Sequence, residues 1–193
     1  MADLKGKKIA KPGVSSIQQV ILLYQLRKFN LTTNDVDISS VNIYMSPSTL
    51  ASKKVDAYIA YEPYVSLAPY RGVGNIMVYS DEIMPDHPCC VIVARQDFID
   101  QHTQELHKFL DIHKKATEFI NNNPNATANL VSTQLTTNPE LEMMSLSHVK
   151  FVSQVNKVFW EKVIDFMNIE LKMGYLKKPM TVDQIFDTQF LGD

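Results

Sequence analysis

The chain has 193 residues, 45% of them hydrophobic and 21% charged, with a formal net charge of −2. That composition supports a packed core and excludes a disordered polymer. It lacks the basic stripe of a nucleic-acid binder, so no nucleic-acid partner is expected. No run of about 18 apolar residues marks a membrane span, and no apolar signal-type segment follows Met1.

The chain opens Leu4-Lys5-Gly6-Lys7-Lys8-Ile9-Ala10-Lys11-Pro12-Gly13-Val14-Ser15-Ser16. Residues 7–11 read as a strand and Pro12-Gly13 as a turn. Residues 15–29 read as a helix with Ile17, Val20, Ile21, Tyr24 and Phe29 on one apolar face. Ser15 or Ser16 can cap its start. The first N–H groups of a helix lack partners and sit at the positive end of its dipole, so this turn suits an anionic group near Gly13. Nothing in the motif pairs a nucleophile with a base, which points to binding rather than catalysis.

Residues 36–41 read as a second strand and 48–54 as a short helix. Residues 55–61 form an apolar strand ended by Glu62-Pro63, because proline cannot continue the ladder. A short helix is expected at 63–70, a strand at 75–80 and another at 89–94. The expected fold class is therefore α/β, with a mostly parallel sheet of about five strands covered by helices on both faces.

From Asp97 onward only helical periodicity is found, beginning with Leu106, Phe109, Leu110, His113, Ala116 and Ile120. Helices are expected at 126–135, 139–146, 155–173 and 181–187, with Gly174 as a C-cap and Thr181 as an N-cap. The chain divides into an α/β lobe, 1–96, and an all-α segment, 97–193.

Several residues admit both a chemical and a structural role. Ser15 and Ser16 could hold an anion or simply cap the helix. Tyr61 and Glu62 fall at the carboxyl end of a parallel strand, where open α/β sheets place ligands. Glu62 would suit a ligand donor; otherwise it caps the strand while Tyr61 packs. His87, Cys89 and Cys90 fall short of the usual four-ligand zinc set. Alternation along a strand would send one cysteine to the core and the other to the cleft, so no metal is expected.

Five segments, in order, carry a family likeness. They are Leu4-Lys5-Gly6-Lys7-Lys8-Ile9-Ala10; Tyr61-Glu62-Pro63; His87-Pro88-Cys89-Cys90-Val91; Thr117-Glu118-Phe119-Ile120-Asn121 with Asn123-Pro124; and Gly174-Tyr175-Leu176-Lys177. The set resembles the solute-binding components of ABC importers for nitrate, aliphatic sulfonates and taurine. That superfamily includes relatives of the thiamine-pyrimidine biosynthesis enzyme. The resemblance implies one lobe of a type II periplasmic-binding-protein fold in 1–96. Residues 97–193 would be the C-terminal helices of the other lobe, whose sheet has no counterpart in this sequence, as in a truncated form.

What the resemblance implies about function is non-catalytic recognition of a small anionic solute, with an importer permease as partner. The implied ligand contacts are Gly13, Ser15, Ser16, Gln18, Tyr61, Glu62, His87 and Cys89, with no cofactor and no catalytic residue. Helices with uncovered apolar faces point to a homodimer with exchanged helices, or to another chain that supplies the sheet. The implied location is extracytoplasmic, or cytoplasmic if Met1 is the true start. Two rival functions are a pyrimidine-precursor enzyme and an orphan lobe serving as an interaction module. The enzyme's pyridoxal-phosphate lysine and substrate histidine would lie in the absent lobe.

Overall fold

The computed structural model describes residues 1–13, 16–135 and 137–190. Strands β1 (Lys8–Lys11), β2 (Asp37–Ser40) and β3 (Ala57–Tyr58) form one parallel sheet in the order β2-β1-β3. Ile9 lies opposite Ile38 on one side and Ala57 on the other, which makes β1 the middle strand. Its central pair, Ile9 and Ala10, is buried accordingly. The Asp56 carboxylate accepts from the Lys8 N–H at 2.8 Å, bracing β1 where β3 has not yet begun.

Helix α1 (Ile17–Lys28) follows β1 and lays Leu22 and Leu26 on a core with Leu4, Ile9, Leu31 and Val36. Burying each such side chain contributes about 1.5–3 kcal/mol relative to exposure. Val20 and Ile21 are buried as well, while Phe29 sits past the helix as its C-cap and is exposed. Short helices α2 (Ser46–Ala51), α3 (Leu67–Tyr70) and α4 (Ser80–Ile83) complete the first part of the chain.

Beyond residue 95 every described regular element is helical: α5 (Gln96–Gln101), α6 (Thr103–Asn122), α7 (Pro124–Leu135), α8 (Pro139–Leu146), α9 (Lys157–Met173) and α10 (Val182–Ile185), then a 3₁₀ turn. Gly174 ends α9 in the left-handed region at φ 81°, where a side chain would be strained. Thr181 caps α10, its N–H donating to Gln184 Oε1 at 3.0 Å. Among the described residues no helix is long and apolar enough to cross a membrane.

The sheet departs from the expected five strands: the described residues form three. The stretches 75–80 and 89–94 carry no ladder pairing, and Ser80 already begins α4. A run of β-branched residues signals a fit to a pleated, half-buried surface, but a strand forms only where a neighbour has free hydrogen-bonding groups. Here β1 is bonded on both sides, and neither stretch pairs with the outer edge of β2 or with the two-residue outer edge of β3. The run past Cys90 is left exposed, with Val93 at 85%.

Two compact units emerge, Met1–Pro85 with Val131–Val149, and Asp86–Leu130 with Lys150–Asp193. The first holds the sheet, and residues 131–149 belong to it although they lie past the composition shift near residue 96. In the second, Leu106 of α6 and Met167 of α9 are buried. There the Met167 sulfur accepts from the Met180 N–H at 3.2 Å, and Asn121 Nδ2 donates to the Phe151 carbonyl at 3.2 Å.

Candidate functional site

Parallel strands end on a common edge, so the loops after β1, β2 and β3 all leave the sheet from one side. The loop after β1 runs from Lys11 to Ser16. Lys11 is buried, at 6% exposure, and its Nζ donates to Gly13 O at 3.0 Å, Ser40 Oγ at 2.9 Å and Pro12 O at 3.4 Å. Ser16 is the N-cap of α1: its Oγ accepts from the Gln19 N–H at 3.3 Å and donates to Pro12 O at 3.4 Å. Gly13 is exposed, and a Cβ there would meet nothing within 4 Å, so the loop uses its carbonyl rather than its small size. Gln18 is buried on α1. Ser15 lies outside the described residues.

The loop after β2 is shaped by Asn42, whose Oδ1 accepts from the Tyr44 N–H at 3.1 Å and starts a 3₁₀ turn. That turn presents Tyr44 at 69% exposure. In the loop after β3, the Tyr58 hydroxyl donates to the Tyr64 carbonyl at 2.6 Å. Tyr64 is ringed by Tyr44 and Tyr61, with edge-to-face centroid distances of 5.2 and 5.8 Å. Burial, and then the Glu62 charge, push the Tyr58 phenol up to about 12. Burial also raises the Tyr64 phenol, with Tyr44 and Tyr61 adding to it.

The structure gives Glu62 a local job. Its Oε2 accepts from the Ser66 N–H and its Oε1 from the Ser66 hydroxyl, both at 3.0 Å. The carboxylate therefore fixes the turn into α3, and Tyr61 keeps an exposed ring face.

His87 and Cys89 belong to the second compact unit, whereas Gly13, Ser16, Gln18, Tyr61 and Glu62 belong to the first. The expected separation of the two cysteines onto opposite faces does not occur. Residues 89–94 are not a strand, and Cys90 Sγ comes within 3.6 Å of Cys89 Sγ, both residues being exposed. Desolvation at the sulfur pushes the Cys89 thiol up to about 11, with the Cys90 thiol adding to it. Among the described residues no group of three or more His, Cys, Asp or Glu could hold a metal ion.

Three residues on this edge, Lys11, Tyr44 and Tyr64, escape the sequence reading. The signal for Lys11 is faint: a lysine closing an otherwise apolar strand just before Pro12-Gly13. For Tyr44 and Tyr64 there is none, because their proximity depends on the strand order.

Residues 1–135 match the NMT1-like family. A protein of Brucella abortus (strain 2308) carried under a binding-protein name is 26% identical over 138 residues, 68% of this chain and 42% of that protein. A Haemophilus influenzae protein carried under a thiamine-biosynthesis name is 29% identical over 128 residues, 65% of this chain and 40% of that one. The fold is similar to that of the alkanesulfonate-binding protein SsuA from Xanthomonas axonopodis pv. citri, solved with MOPS bound. That match has a TM-score of 0.80 at 16% identity, over 95% of this chain and 63% of the other. The chain thus spans less than half the length of the relatives it matches in sequence. With well over half of its residues inside the family match, the chain belongs to the NMT1-like family.

Proposed function

We propose that this chain recognises a small anionic solute, of the nitrate, sulfonate or taurine class, without catalysis, as part of an ABC importer's solute-binding component. The observation that carries this is the carboxyl edge of the sheet. There the amino end of α1, capped by Ser16, and the exposed rings of Tyr44 and Tyr61 hang from adjacent loops. Free N–H groups at a helix start favour negative charge, and the rings offer an apolar wall for the rest of a solute. The amides near Gly13, Ser15 and Ser16 would hold the anion, with Tyr61, Glu62 and Gln18 around them. His87 and Cys89 are carried as contacts by the family resemblance alone.

The likeness in fold to an alkanesulfonate-binding protein supports the solute class, and that protein's longer chain supports a second cleft wall supplied from elsewhere. Affinity for this chain alone is therefore expected in the millimolar range, for which ΔG of binding is about −4 kcal/mol. Titration with methanesulfonate, taurine and nitrate, followed by two-dimensional NMR, tests this. Saturable shifts at the carboxyl-edge amides are expected, and their absence at tens of millimolar would refute the reading. Nanomolar binding by a proven monomer would refute the half-cleft argument.

The thiamine-biosynthesis name of the Haemophilus relative favours one second reading, a pyrimidine-precursor protein. The pyridoxal-phosphate lysine of such a protein would lie outside this chain, so ligand choice separates the two. An uncharged aminopyrimidine in the same NMR titration should shift the carboxyl-edge amides under the second reading and leave them unmoved under the first.

A further inference from the structure

We propose that Lys11 is the counter-charge that selects an anionic solute over an uncharged one of the same shape. This rests on the reading that the carboxyl edge of the sheet is the solute site.

Lysine is almost never buried unless its charge is compensated. Lys11 is 6% exposed, yet among the described residues no carboxylate lies within ion-pair distance of its ammonium. Its acceptors are two carbonyls and a hydroxyl, all uncharged. The loop beyond it, Pro12-Gly13-Val14-Ser15-Ser16, holds no acid, and it leads into the positive end of α1. Two sources of positive potential thus share one short loop, with the compensating charge left to come from outside.

The hydrogen bonds also leave room for a newcomer. The contacts to Gly13 O and Ser40 Oγ are 3.0 and 2.9 Å, ordinary lengths, but the third donor reaches Pro12 O only at 3.4 Å. Pro12 O receives the Ser16 hydroxyl as well. One ammonium N–H can therefore turn to a solute oxygen at the loss of a weak contact. Ser40 is exposed, and a hydroxyl that accepts one bond can donate another to the same solute. A lysine that merely tied the loop together would need no solute charge, so the two roles differ in what they discriminate.

The test compares methanesulfonate with dimethyl sulfone, its uncharged near-isostere, by two-dimensional NMR on the full chain. In the wild-type chain, the Gly13 and Ser16 amides, and that of Val41, which donates to the Lys11 carbonyl at 2.9 Å, shift saturably with methanesulfonate and far less with the sulfone. Lys11→Met loses affinity for methanesulfonate by about tenfold or more, as removal of a charge-assisted bond implies, and no longer distinguishes the two. Lys11→Arg retains the distinction. Wild-type binding of methanesulfonate by Lys11→Met overturns the assignment of Lys11 while leaving solute binding intact. A wild-type chain that shifts with no anion overturns both. Should Lys11→Met lose its dispersed spectrum, the ¹⁵N resonance of the wild-type Lys11 ammonium decides: movement on adding methanesulfonate supports the proposal, and a stationary signal ends it.

Discussion

The Tyr44 ring meets the Tyr64 ring edge to face, with centroids 5.2 Å apart and planes at 88°. Tyr44 follows β2 and Tyr64 follows β3, the two strands that flank β1 without touching each other. The pair therefore ties together loops on either side of β1, at the same edge of the sheet.

A double-mutant cycle measures that tie. Tyr44→Ala and Tyr64→Ala, singly and together, should show a coupling of about 0.5–1.5 kcal/mol by urea unfolding, the usual worth of an aromatic pair. A coupling near zero would mean that the rings touch without holding the loops.

The Ser16 cap gives a second expectation. Ser16→Ala removes the side-chain acceptor of the Gln19 N–H, which keeps the Ser16 carbonyl at 2.9 Å, and should destabilise the chain by about 1 kcal/mol, whereas Ser16→Gly should cost only a few tenths. Equal losses for the two would say that the hydroxyl acts elsewhere.

Tyr58 gives stability a pH dependence at the alkaline end. Its folded pKa of about 12 lies above the ordinary value of 10.0, so between these values the unfolded chain releases a proton that the folded chain keeps. Its contribution is complete below pH 10 and is lost as pH rises toward 12. Tyr58→Phe also deletes the bond to the Tyr64 carbonyl. The variant should start less stable and lose less over that window, a difference readable in urea midpoints at several pH values. Parallel curves would mean that the alkaline loss of stability arises at another group.

At the other end of the chain, Gly174→Ala places a Cβ on a left-handed residue at φ 81° and should cost on the order of 1 kcal/mol. Hydrogen exchange should then quicken in the last turn of α9, where the Gly174 N–H bonds the Leu171 carbonyl and the Tyr175 N–H bonds that of Glu170. Unchanged exchange would show that the turn is held by other contacts.

The second unit exposes Val93, Phe109, Ile112 and Val158, and a groove of about 390 Å³ runs past Ile92, Phe98 and Phe109. Uncovered apolar helix faces are the ground on which a homodimer with exchanged helices, or another chain supplying the sheet, is expected, and we propose the homodimer. Light scattering at micromolar concentration should report a dimer; a monomer that also fails to bind an apolar dye would remove that expectation.

Local features were legible in the sequence. The strand at β1, the Ser16 cap, the Gly174 stop and the Thr181 cap each depend on a few neighbouring residues, and each stands where its pattern put it. The stretches 75–80 and 89–94 misled because strand propensity says nothing about whether an edge is free to pair. With the second of these went the expected alternation of Cys89 and Cys90. Lys11, Tyr44 and Tyr64 could not be assembled beforehand, since only the order β2-β1-β3 makes their loops neighbours. Glu62 was legible as a ligand partner or a cap on the strand before it; its two bonds to Ser66 instead brace the turn into α3, a role that depends on a residue four positions on.

The outer strands share no hydrogen bond with each other, so Lys8–Lys11 is the keystone of the whole ladder. Trimming the amino terminus past Lys11 would release both flanking strands at a stroke and let the three tyrosine- and serine-bearing loops drift apart. A proteolytic nick in that opening segment would accordingly dismantle the sheet before it unravels the helices downstream.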